Sequence, residues 1–113
     1  MEKYIGTVIE ESLEDNRILN DLEVVSFRIS KDDNPADRWH LYKIQTSEEG
    51  IDKLSKNIKE GWYAHFWKGE DFIVIFKNKK FTLKQSDKET WKPAVEHGLS
   101  LGIPAEQLDF VIE

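Results

Sequence analysis

The 113 residues fit one domain, 1–113, long enough to bury roughly two-thirds of the unfolded surface without staples. Sixteen basic against twenty-two acidic side chains give a net charge of −6, which argues against a phosphate backbone as partner, and the absence of cysteine excludes disulfides, thiolate metal sites and cysteine nucleophiles. Met1 is followed by Glu2 and no apolar leader, and no apolar run approaches the ~18 residues of a membrane helix, so a soluble, cytoplasmic protein is expected.

The alternation in residues 4–9 predicts a first strand around Gly6. Residues 10–16, Glu10-Glu11-Ser12-Leu13-Glu14-Asp15-Asn16, read as too polar to be buried and lead through a loop or short helical turn to Leu19. Residues 22–29 predict a second strand, with Val25, Phe27 and Ile29 on one side and Glu23, Ser26 and Arg28 mostly off it. Residues 31–37 combine charge with turn formers, which predicts an exposed connection able to act as a flap. A third strand is predicted over 39–45, with Trp39 and Leu41 opposite His40, Tyr42 and Ile44.

Thr46-Ser47-Glu48-Glu49 has the spacing of a capping box with Thr46 as the cap. Ile51, Leu54 and Ile58 then fall on one helical stripe, Asp52, Lys53, Lys56 and Lys59 face water, and Gly61 suits the left-handed residue that closes the helix. Residues 61–83 hold most of the large apolar surface and predict an antiparallel meander. Strands over 62–67 and 72–76 are joined by Lys68-Gly69-Glu70-Asp71, and a turn at Asn78 leads to a third over 80–83. Trp62, Ala64 and Phe66 share one face of the first of these and Tyr63, His65 and Trp67 the other, so this strand is expected to be central and covered on both sides. A second capping pattern, Ser86-Asp87-Lys88-Glu89, precedes a helix bearing Trp91, Ala94, Val95 and Gly98. Pro93 moves its regular part toward Thr90, and Gly102 stops it. Leu108, Phe110 and Ile112 are expected to pin the tail onto the sheet.

Three segments, 4–13, 61–66 and 98–110, the last running from Gly98-Leu99-Ser100-Leu101-Gly102-Ile103-Pro104 to Gln107-Leu108-Asp109-Phe110, together resemble a family of short, uncharacterised prokaryotic cytoplasmic proteins. The resemblance spans nearly the whole chain. It implies no activity, cofactor or site.

His40, His65 and His97 lack the close spacings of metal-ligand motifs, so no metal and no cofactor are expected. Glu10, Glu11, Glu14 and Asp15 lack the ligand alternation of a calcium loop and read as an exposed acidic turn. Lys77, Lys79, Lys80 and Lys84 make a basic patch that suits a protected sheet edge, with a weak phosphate or nucleic-acid contact as the alternative. The informative set is Trp39, Trp62, Tyr63, Phe66, Trp67 and Trp91: core in the bland reading, and the lining of an aromatic cleft in the sharper one.

The expected architecture is α+β: a mostly antiparallel sheet of about six strands, ordered three strands, a helix, three strands and a helix, with both helices packed on it. A ferredoxin-like core is one variant. The leading functional expectation is a non-enzymatic binding or interaction module using an aromatic surface around Trp39, Trp62, Tyr63 and Trp67, its partner an unknown protein, a small molecule or a second copy of the chain. The rival is a small enzyme or small-molecule sensor whose cleft holds His65 or His40 with Glu10 or Glu11.

Overall fold

The computed structural model describes residues 3–105 and residue 108. Strand β1 (Tyr4–Ile9) alternates buried and half-buried residues along its whole length. It pairs antiparallel with β3 (His40–Thr46) on one side and β4 (Ala64–Lys68) on the other. With β2 (Glu23–Ile29), β5 (Asp71–Phe76) and β6 (Lys79–Lys84) it forms one six-stranded sheet in the order β2-β3-β1-β4-β5-β6, every pairing antiparallel. Two helices, α1 (Glu48–Asn57) and α2 (Lys92–Ser100), complete the α+β fold. Among the described residues, no helix is long and apolar enough to cross a membrane.

Because β3 and β4 both run antiparallel to β1 and flank it, α1 must carry the chain across the sheet from one to the other. Its stripe of Ile51, Leu54 and Ile58 is at most 1% exposed and packs with Val8, Ile44, Phe66, Ile73 and Ile75. The alternate residues of β5, Phe72, Val74 and Phe76, join Leu83, Ala94, Ile103 and Leu108 in a second cluster under α2. Period-two alternation sends successive β5 residues to opposite faces, so the helices lie on opposite sides of the sheet. This departs from the ferredoxin-like variant, in which the helices share one face. It also makes β5 the strand covered twice, where the expectation had been the strand beginning at Trp62: Phe72 through Phe76 are at most 1% exposed, whereas His65 and Trp67 of β4 are only half-buried.

Several local signals resolve differently from their sequence patterns. Thr46 remains the buried last residue of β3, so the cap of α1 is Ser47, whose Oγ accepts from the Gly50 amide at 3.4 Å. The helix ends at Asn57, because Ile58 leaves it to bridge Leu13; Gly61, at φ +87°, turns the chain toward β4 instead of closing the helix. That bridge buries Ser12 and Leu13 in a stretch whose polarity had predicted exposure. Ser86 does not cap; its hydroxyl donates to Glu70, and Asp87 caps a short 3-10 turn over Lys88–Trp91 that runs into α2 with Pro93 in the first turn. Gly102, at φ +85°, ends α2 in a double hydrogen-bonded lock, its own amide donating to Leu99 and that of Ile103 to Gly98. Leu108 is buried over Gly98, while Phe110 and Ile112 lie outside the described residues.

Candidate functional site

The face of the sheet opposite α1 is covered by α2 only over β4, β5 and β6. Beyond that cover, β1 turns Thr7 and Ile9 and β3 turns Leu41 toward an open cleft of about 400 Å³. Its aromatic walls are Trp39, Trp62, Tyr63, His65 and Trp67, with Arg28 of β2 and Ile103 after α2 at its margins.

Each aromatic is placed by identifiable backbone contacts. The Trp39 amide donates to Ser30 Oγ at 2.8 Å and its carbonyl accepts from the Ser30 amide at 2.9 Å, closing the β2–β3 connection directly before β3. The Arg38 guanidinium donates to the carbonyls of Asp32 and Asp33, at 2.8 and 3.1 Å, so the exposed 31–37 connection is tied back beside Trp39. Trp62 follows the left-handed Gly61, and its amide donates to the Lys59 carbonyl. The two indoles then meet edge to face, centroids 5.3 Å apart at 64°, a favoured geometry for aromatic pairs. His65 and Trp67 come from alternate positions of β4, their rings 5.9 Å apart, and Tyr63 leans on Phe76 at 5.9 Å. Trp39 remains 43% exposed, so part of its ring is open to solvent.

The eight residues singled out from sequence therefore divide into two groups. Trp39, Trp62, Tyr63, His65 and Trp67 share the cleft. His40, Glu10 and Glu11 form a separate polar cluster, because alternation along β3 turns His40 away from the face that carries Trp39 and Leu41. There His40 Nδ1 lies 2.6 Å from Glu11 Oε2, the His40 amide donates to Glu11 Oε1 at 2.9 Å, and the Tyr42 hydroxyl donates to Glu10 Oε1 at 2.8 Å. Phe27 of β2 lies against both rings, tilted 4.8 Å from Tyr42 and stacked 6.0 Å from His40. The Glu11 hydrogen bond holds the His40 imidazole above its ordinary pKa, more than offsetting desolvation. Partial burial pushes the Glu11 carboxyl up, but the amide and ring of His40 outweigh it and leave the group below the usual carboxylate value. Hydrogen bonding to Glu10, then burial, raises the Tyr42 phenol.

The lysines around β6 are mostly engaged in pairs. Lys77 meets Glu14, Lys84 meets Asp71, and Lys80 sits between Glu48 at 2.7 Å and Asp52 at 2.9 Å, so the basic stretch around β6 is largely neutralised. Asp15 holds Arg17 through two hydrogen bonds and falls to about 2. The four acids of the 10–15 stretch thus have separate partners, and among the described residues no group of three or more His, Asp or Glu side chains converges as a cation site.

Two members of the aromatic set lie outside the cleft. Phe66 is fully buried under α1, and Trp91 packs on Phe72 while its indole N–H donates to the Lys84 carbonyl at 2.9 Å. Thr7, Ile9, Arg28, Leu41 and Ile103 are cleft residues that pattern reading missed. Alternation placed Leu41 with Trp39, but only the sheet order reveals that β1 adjoins their strand. No protein-family model, curated protein or solved structure matches the chain.

Proposed function

We propose that the protein is a non-enzymatic binding module that takes its ligand in the aromatic cleft. The observation that carries this reading is the convergence of Trp39 from one chain segment and Trp62, His65 and Trp67 from another onto one open face, with Trp39 left substantially exposed. Concave apolar surfaces with a few polar groups are the usual form of small-molecule sites, and a volume of about 400 Å³ lies within their range. Indole rings add large, rigid contact area at little entropic cost. A thermal-shift screen of metabolites, read beside intrinsic tryptophan fluorescence, tests the reading. Binding that Trp67→Ala and Trp39→Ala both weaken supports it; ligands that bind equally well to both variants would place the function elsewhere.

A second reading, a small enzyme or small-molecule sensor, draws on the His40–Glu11 contact at 2.6 Å, the geometry in which a carboxylate orients an imidazole. In this protein the imidazole stacks beside Phe27 and lies apart from the cleft aromatics. Loss of any ligand response in His40→Gln with the response intact in Trp67→Ala would favour this second reading.

A further inference from the structure

Resting on the cleft as the binding site, we infer that its ligand is a small molecule with a flat aromatic body and a carboxylate, the ring held among the indoles and the carboxylate at Arg28 and Lys43. The sheet register supplies the geometry. Ser26, Lys43 and Thr7 stand opposite one another across β2, β3 and β1, and Arg28, Leu41 and Ile9 form the adjoining row. All share the open face. The second row feeds the aromatic cleft, while Thr7, Ser26, Arg28, Leu41 and Lys43 line a smaller depression of about 240 Å³ that shares Thr7, Arg28 and Leu41 with it. The two therefore form one continuous surface, aromatic at one end and cationic at the other.

Its charge runs against that of the chain. Twenty-two of the 113 residues are Asp or Glu, yet among the described residues neither lining contains one, and the formal charges these linings carry are those of Arg28 and Lys43. Glu23, opposite Gln45 on the same face, lies outside both linings and is paired with Lys3 at 3.2 Å. A surface of one sign within an oppositely charged protein concentrates a counter-charged ligand. Arg28 also interacts within the protein, and the several N–H donors of a guanidinium can serve an internal partner and a planar carboxylate together. The Ser26 and Thr7 hydroxyls add neutral donors beside it.

The test compares naphthalene carboxylate with its uncharged carboxamide by isothermal titration at low salt. A hydrogen bond to a charged group is worth enough that the carboxylate should bind about tenfold more tightly or better. Arg28→Gln with Lys43→Gln should erase that preference by lowering carboxylate affinity to that of the carboxamide, and an unchanged melting transition reports that the variant is folded. Equal affinity of the wild type for both probes, with both weakened by Trp67→Ala, would overturn the anionic assignment and leave the aromatic cleft standing. Absence of binding by both probes would overturn the inference, and the ligand screen with Trp67→Ala and Trp39→Ala would then decide the cleft reading separately. Binding of an oligothymidylate far more tightly than naphthalene carboxylate would replace the small molecule with a nucleic-acid strand.

Discussion

Gly6 stands directly opposite Phe66 in the β1–β4 ladder, and the Phe66 ring occupies the space that a Cβ on residue 6 would need. The glycine is thus a packing requirement: its missing side chain lets a fully buried ring lie against the β1 backbone. Gly6→Ala should cost about 1–3 kcal/mol by overpacking, and Phe66→Ala about 3–5 kcal/mol by leaving a cavity. Because both changes act on one contact, Gly6→Ala with Phe66→Leu should cost less than the sum of the two single changes. Urea midpoints for the four proteins measure that coupling.

Trp67 is adjacent to Phe66 in sequence but points to the other face, where it is half-buried beside His65. Trp67→Ala should therefore destabilise the protein clearly less than Phe66→Ala, while weakening ligand capture. Equal and severe losses in urea midpoint would make both faces of β4 core and deprive the cleft of its principal wall.

The His40–Glu11 contact should make stability depend on pH in a defined direction. The folded imidazole titrates above its ordinary value, so its contribution is complete below about pH 6.5, the unfolded value, and is lost as pH rises through the higher folded value. The folded Glu11 carboxyl titrates below its ordinary value, so its contribution is present above about pH 4.3 and is lost as pH falls through the lower folded value. The advantage of wild type over His40→Gln should accordingly be greatest in mildly acidic buffer and shrink on the alkaline side of neutrality. Melting temperatures of the two proteins across that range check the sign, and a gap that widens toward alkaline pH contradicts it.

The two edges of the sheet differ in their protection. At β6, Lys80 and Lys84 are tied to acids and Lys79 is exposed, the charged dressing that discourages strand addition. At β2, Val24, Val25, Phe27 and Ile29 are 43–51% exposed, and the only irregularity is a bulge between Val24 and Ser26. Self-association should therefore begin at β2. Val25→Lys should lower the apparent mass by light scattering at high protein concentration, or delay aggregation on mild heating, whereas Thr82→Lys on β6 should change neither.

Much of the architecture follows from local pattern. β1 occupies the predicted residues, α1 buries the predicted stripe of Ile51, Leu54 and Ile58, and Gly69 and Asn78 take the left-handed conformations that the meander turns demand. These features depend on period and backbone sterics, which residues within one element already express. Cap positions fell outside that reach: Thr46 and Ser47 both have cap chemistry, and burial of Thr46 at the end of β3 decided between them. The choice of 62–67 as the strand covered twice missed for a similar reason, because Trp62–Trp67 and Phe72–Phe76 are both apolar on two faces, and only the placement of α2 buries β5 while leaving part of β4 open.

The same division applies to the cleft. Tryptophan content marked Trp39, Trp62 and Trp67 as a set, and alternation put His65 beside Trp67. Sequence could not bring Arg28, Thr7 and Ile9 to that set, since they converge only when β1 inserts between β3 and β4 and places three strands distant in sequence side by side. Nor could it separate His40 and Glu11 from the cleft: their contact spans twenty-nine residues and depends on the turn after β1 folding back onto the start of β3. Period and propensity act within a few residues, whereas strand order and helix placement follow from burying both faces of β5 at once, a condition that involves the whole chain.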